Sequence, residues 1–235
     1  RNSFEIFVYI NKKERQMITD RQAKILQEAR DFVYAELKDE MSGHDWWHIV
    51  RVTNNAVEIA KQEQADVFIC ELAALLHDIA DGKLNKNEEV GLQKVEQWLQ
   101  NHQASDEEIA HVLDIISTMS FEGGHQQKNV STLEGKIVQD ADRLDAIGAI
   151  GIARAMAYSG HTGRPIHDPA LRPREDMTVE EYRSNKGTAI LHFYEKLLKL
   201  KDLMNTNYAK QLAMGRHRFL EEYLEQFYAE WDAKK

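Results

Sequence analysis

The stretch VFICELAALLHDI, residues 67–79, leaves this chain the fewest choices. Cys70, Leu72, Leu75, Leu76 and Ile79, with Ala73 and Ala74 between them, cover nearly every side of a helix. A helix that is apolar all round is a buried helix, so the rest of the chain has to wrap it. The stretch ends in His77 and Asp78. Burying an unpaired ionisable group is costly, so this pair needs partners, and a divalent cation would satisfy both.

Two further residues sit in similar surroundings. His48 begins the series His48, Val52, Ala56 and Ile59, spaced to share one inward helical face. Asp142 follows Ile137, Val138 and Ala141 in EGKIVQDADRLDAIGAIG, again a polar group inside an apolar helical pattern. Any one of the four is equally well read as a satisfied core side chain. The coincidence of four argues for chemistry. Two imidazoles and two carboxylates make a mixed N/O set, suited to a borderline or hard divalent ion, and they leave positions for water and a phosphate oxygen.

The rest of the chain reads as almost entirely helical. Helices are expected over residues 20–39, 44–62, 66–79, 87–101, 105–119, 132–146, 150–158, 179–203 and 207–232. Ser105 and Glu108 have capping-box spacing. No alternating apolar run is long enough for a sheet. Residues 1–17 read as an extension of uncertain role and 18–235 as a single all-α domain. Phe219, Tyr223, Phe227 and Trp231 form a packing face on the last helix. All three prolines, Pro165, Pro169 and Pro173, fall in one segment, residues 159–177, with Gly160 and Gly163. A loop this long in a helical protein is a functional or disordered segment. Its basic residues include His161, Arg164, His167, Arg172 and Arg174. The segment is read as a phosphate clamp, a solvated excursion or a dimer contact.

With a formal charge of −9 the chain is a poor partner for duplex nucleic acid. The single Cys70 cannot form an internal disulfide, which fits a reducing cytoplasm. The apolar run at residues 4–10 is too short for a membrane span or a signal core.

The pattern H…HD…D resembles the HD-domain metal-dependent phosphohydrolases. The strings GHDWWHIVRV, LAALLHDIAD and IVQDADRLDAIGAIGIARA look like a bacterial branch of stand-alone hydrolases related to a Bacillus nucleotide pyrophosphohydrolase. The resemblance covers roughly residues 18–227. It implies an HD-domain-like helical bundle with a long Pro/Gly loop, and one divalent metal held by His48, His77, Asp78 and Asp142. Manganese is favoured, with magnesium, iron, cobalt and nickel open. It also implies a small phosphorylated substrate, a nucleotide by preference. The guanosine-tetraphosphate hydrolases that resemble this motif carry adjacent Glu-Asp where this chain has Asp81 and Gly82. The Gly-Tyr-Pro motif of the cyclic-dinucleotide branch does not occur, and the spacing of His102, His111 and His125 does not form a convincing second metal site.

Asp81, three residues beyond Asp78, is expected to carry a proton or to start a turn with Gly82. Substrate contacts are expected from His44, Arg51, Lys83, Arg143, Arg154 and Arg164. Asp145 is expected to orient a ligand or bind sugar hydroxyls, with Arg143 as its alternative partner. Trp46-Trp47 is read as a base-stacking platform or as core and wall. The expected reaction converts (deoxy)nucleoside triphosphates to monophosphates and pyrophosphate. Alternatives are a nucleoside monophosphate phosphatase, a phosphodiesterase, and a non-catalytic metal- or nucleotide-binding module. A homodimer is left open.

Overall fold

The computed structural model describes residues 18–40, 45–81, 84–119, 130–174 and 187–234. Among them there are helices and no strands. The order is α1 (Asp20–Leu37), α2 (Trp46–Glu63), α3 (Val67–Leu76), a 3-10 turn (His77–Ala80), α4 (Glu88–Asn101), α5 (Asp106–Met119), α6 (Leu133–Asp145) and α7 (Gly148–His161). After the Pro-rich segment come α8 (Ala189–Glu195), a 3-10 stretch (Leu197–Leu203) and α9 (Asn207–Trp231).

The apolar helix is the axle of the fold. Every residue of α3 from Phe68 to Leu76 is buried, against α1, α2, α5 and α6. Its one interior charge, Glu71, pairs with Arg30 of α1. Local chemistry sets the helix starts. Thr19, Asp45, Asp66, Asn87, Thr132 and Thr188 each accept a hydrogen bond from a first-turn amide, which satisfies a donor the helix leaves open. The Ser105–Glu108 capping box forms, with both reciprocal bonds present.

Three expectations need correction. First, the buried helix stops at Leu76, and His77–Ala80 wind into a tighter 3-10 turn. Asn85 holds that turn's far end by donating to the Ile79 and Asp81 carbonyls. Gly91 of α4 lies directly against it. A Cβ there would come within 2.4 Å of the Ala80 carbonyl oxygen, so only glycine allows this approach.

Second, the described part of the expected helix over 179–203 breaks at Lys196. Leu197, Leu200 and Leu203 repeat every third residue, which aligns them on one face of a 3-10 helix and not of an α-helix. Third, only part of the expected α9 face packs: Tyr223 and Phe227 lie partly buried against the core, Phe219 and Trp231 are 46% and 50% exposed, and the fully buried positions are Ala209, Ala213, Leu220 and Leu224. The small alanines let α9 approach α2 and α6 closely. In addition, α7 runs to His161 and so takes up the first residues of the expected loop.

Candidate metal centre

α2, the 3-10 turn and α6 bring three parts of the sequence to one point. Asp45 caps α2 by accepting from the His48 amide at 2.8 Å, which places His48 in the first turn. His48 is 1% exposed. Its Nδ1 lies 2.7 Å from Asp145 Oδ2. Burial works to raise the Asp145 carboxyl. The hydrogen bonds from His48 and Arg51, with the charges of Arg154 and His48, outweigh that and hold it below the usual carboxylate range. An ionised Asp145 accepts from Nδ1, which leaves Nε2 as the ring nitrogen turned toward the other side chains. His77 reaches the same state by another route. Its Nδ1 lies 2.8 Å from the Ala74 carbonyl, which can only accept. Its Nε2 is buried with no hydrogen-bond partner among the described residues.

These two ring nitrogens face carboxylates. His77 Nε2 is 3.2 Å from Asp78 Oδ1. His48 Nε2 is 3.6 Å from Asp78 Oδ2 and 3.5 Å from Asp142 Oδ1. Donor atoms of His48, His77 and Asp78 all lie within 4.8 Å of one another. Asp142, 41% exposed at its side chain, stands at the open edge. Electron-rich atoms packed this way repel one another unless a cation joins them. Two ligands on one ion with bonds of about 2.1 Å need separations of this size. The residues therefore fit a divalent metal, and Asp145 stands behind His48 as the hydrogen-bonded carboxylate that fixes a ligating imidazole.

Beside this cluster lies a second layer of charge. Arg51 grips Asp145 with two bonds, Nε to Oδ1 at 2.6 Å and Nη2 to Oδ2 at 3.0 Å. Arg154 of α7 adds a third, at 2.9 Å. Both arginines are partly exposed. The Asp145 hydrogen bond is the main reason that the Arg51 guanidinium is pushed up. Asp81 follows the 3-10 turn, and its carbonyl accepts from the Leu84 amide at 3.0 Å. Trp46 packs edge-on against Tyr34 and is partly buried, whereas Trp47 is 52% exposed.

Other expected contacts are not brought here. Arg143, expected at the substrate or on Asp145, is buried and donates to the Leu203 carbonyl. It points to the far side of α6 because neighbouring helical residues diverge by about 100°. Arg164 packs over the Tyr158 ring at 5.9 Å. His44 and Lys83 lie outside the described residues. His102 sits on the Trp98 ring at 4.0 Å, and His111 faces Glu134 at 3.6 Å. His125 lies outside the described residues, and among those described the His48–His77–Asp78 group is the metal-capable cluster.

One residue of the arrangement had no signal in the sequence. Arg216 of α9 donates to the Leu144 carbonyl at 2.6 Å and to Asn55 Oδ1 at 3.2 Å. It lies far from every motif, and only tertiary packing brings it in.

Comparison with known proteins bears on the same residues. A family model for the HD domain matches residues 46–147, the segment that holds His48, His77, Asp78 and Asp142. YpgQ of Bacillus subtilis is 40% identical over 207 residues, covering 88% of this chain and 93% of YpgQ. The chain belongs to the HD-domain family. It is an HD-superfamily hydrolase, of a metal-dependent phosphohydrolase family. The fold agrees closely with solved members. An HD-superfamily hydrolase from Bacillus thuringiensis is 49% identical, with a TM-score of 0.72 over 91% of this chain and 99% of that one. A Lactobacillus plantarum protein is 44% identical, with a TM-score of 0.77 over 92% of this chain and 100% of that one. The crystal structure of YpgQ in complex with ADP gives 38% identity and a TM-score of 0.72, over 88% of this chain and 95% of YpgQ. HD domains bind divalent metals, and this HD hydrolase has a His-Asp cluster able to hold one. No described helix is long and apolar enough to cross a membrane.

Proposed function

We propose that this HD hydrolase cleaves nucleoside triphosphates, deoxy forms included, to the monophosphate and pyrophosphate. One divalent ion, manganese by preference, is held by His48, His77, Asp78 and Asp142. The observation that carries the metal reading is the convergence of imidazole nitrogens and carboxylate oxygens at 3.2–3.6 Å. When bound, such an ion polarises a phosphoryl group and lowers the pKa of water.

The chain's own residues supply the rest. Asp145 fixes the His48 ring. Arg51 and Arg154, partly exposed beside it, neutralise phosphate charge, and a guanidinium fork matches phosphate oxygens well. A triphosphate brings more charge than one divalent ion offsets, which is why two arginines next to the cluster favour it over a monoester. Trp47 offers a face to the base. The ADP bound by the relative YpgQ supports a nucleotide as ligand. Asp81 takes the proton of the attacking water. Water adds to the α-phosphorus, the bond to the bridging oxygen breaks, and pyrophosphate leaves with that oxygen.

The test is a screen of divalent metals against nucleotides that resolves pyrophosphate from orthophosphate. Pyrophosphate and monophosphate in equal amounts are expected from triphosphates. Orthophosphate as the sole first product would favour the phosphatase reading. Asp81→Asn is expected to lower kcat about a hundredfold with metal content unchanged. Unchanged turnover would remove Asp81 from the proton path.

A further inference from the structure

We propose that Arg216 is a positioning residue of the metal centre: its guanidinium ties the helix that carries His48 to the helix that carries Asp142, and so sets the spacing of their ligand atoms. The proposal rests on the metal-centre reading above and extends it to a residue outside the matched HD segment, residues 46–147.

The contacts are specific. Arg216 Nη1 donates to the Leu144 carbonyl of α6 at 2.6 Å, between Asp142 and Asp145 in the chain. Its Nη2 donates to Asn55 of α2 at 3.2 Å. Asn55 lies one turn beyond Arg51 and two turns beyond His48, on the same face. A single planar group thus spans both ligand-bearing helices from a third.

The energetics call for such a role. Among the described residues both partners of this guanidinium are neutral oxygens. Burial lowers its basicity, and the charge of Asp145 is what works the other way. A partly buried arginine with neutral partners is costly unless something nearby rewards its charge. Here it is the charge of Asp145, the carboxylate that holds His48.

The backbone is shaped around it. Gly148 opens α7 with φ of 72°, a left-handed conformation that favours glycine. A Cβ there would stand 3.0 Å from Arg216 Cβ and 3.1 Å from Cγ. The Arg216 stem therefore packs on bare backbone at the elbow between α6 and α7. That elbow turns Arg154 back onto Asp145.

The test uses metal-free preparations of the wild type, Arg216→Met and Arg216→Lys. Each is titrated with Mn²⁺ by calorimetry and with Co²⁺ followed by visible absorption, and its melting temperature is measured without metal. Arg216→Met is expected to weaken Mn²⁺ binding about tenfold, the low end for outer-sphere partners, and to change the cobalt spectrum. Arg216→Lys keeps the charge without the fork and should recover part of the affinity. Wild-type affinity and spectrum in Arg216→Met would overturn the proposal even with a lower melting temperature, since Arg216 would then only pack. Should that variant not fold, Asn55→Ala removes the α2 half of the clamp alone. It should weaken binding about threefold, as one lost hydrogen bond predicts, and unchanged binding there would also overturn the proposal. A wild-type chain that takes up neither ion overturns the metal-centre reading itself, and this proposal with it.

Discussion

Two regions along α9 end up as different things. Near its middle, Arg216 meets the region of Asp145, where His48, His77, Asp78 and Asp142 gather. At its C-terminal end, Phe227, Tyr228 and Trp231 surround His167 of the Pro-rich segment, with ring centroids 4.8–5.8 Å away. Tyr228 lies twelve residues beyond Arg216, or about 18 Å along the helix.

Both regions hold a histidine, an arginine and a buried carboxylate: His48, Arg51 and Asp145 in one, His167, Arg174 and Glu195 in the other. At the loop end the charged groups have structural partners, while His167 Nδ1 is buried with no hydrogen-bond partner among the described residues. Arg174 grips Glu195 through its amide, Nε and Nη2. The Pro165 and Ile166 carbonyls accept from the first amides of α8. His192 is pushed down to about 3 by burial, helped by the charges of Lys196 and Arg164, and so stays neutral. A cavity of about 360 Å³ lies there, walled mainly by aromatic and apolar side chains such as Tyr194, Tyr228 and Trp231. In the other region ligand atoms of His48, His77 and Asp78 converge within 4.8 Å, with Asp142 Oδ1 3.5 Å from His48 Nε2. What separates a functional cluster from a fastened loop is therefore not the presence of titratable groups. It is whether several of them converge on one point, as His48, His77 and Asp78 do.

The comparison breaks most easily at Asp78. Asp78→Ala should abolish metal uptake, measured by elemental analysis, and lower hydrolysis at least about a thousandfold, while circular dichroism stays helical. Full metal content in that variant would show that the cluster is no more a metal centre than the loop end is. Asp145→Asn comes next. It removes the anionic acceptor of His48 and leaves two arginines without their carboxylate, so Mn²⁺ affinity should fall about 10–100-fold. The other end should behave in the opposite way. His167→Ala should cost about 1 kcal/mol, read as a melting temperature about 3 °C lower, with kcat/KM within about twofold of wild type. A tenfold loss of kcat/KM there would return the loop to the substrate.

The smallest effect is a control at the surface, far from both ends. Arg21 of α1 forks onto Glu108 of α5 at 2.6 and 2.9 Å. That hydrogen bond is the main cause that lowers the Glu108 carboxyl to about 2. A carboxyl depressed in the folded state adds stability above its unfolded value of about 4.5, and loses it as pH falls toward 2. Arg21→Ala should therefore cost less than about 1 kcal/mol at pH 6 in chemical denaturation, because the pair is partly solvated and screened. The difference from wild type should shrink as pH falls below 4. A gap that stays constant down to pH 2 would mean that Arg21 acts by packing and not by charge.

Much of this was legible from residue order alone, because helices are local. The all-round apolar run at 67–79 had to be buried, and the cap at Ser105 follows from side-chain chemistry three residues away. His48, His77, Asp78 and Asp142 stood out because each breaks an apolar pattern, and breaking such a pattern requires compensation. The sequence could not say what each charge faces. Arg143 adjoins Asp142 yet serves the Leu203 carbonyl, while Arg51, 94 positions before Asp145, grips that carboxylate. Asp140 and Asp142 are two residues apart, but Asp140 is fully buried on the amides of Asn205 and Thr206, raised by burial and offset by those bonds. Arg216 had no local mark at all. Periodicity and capping depend on neighbours within a few residues, so the sequence alone decides them. Which acceptor meets which donor depends on how helices cross, and that is settled only when the whole core packs.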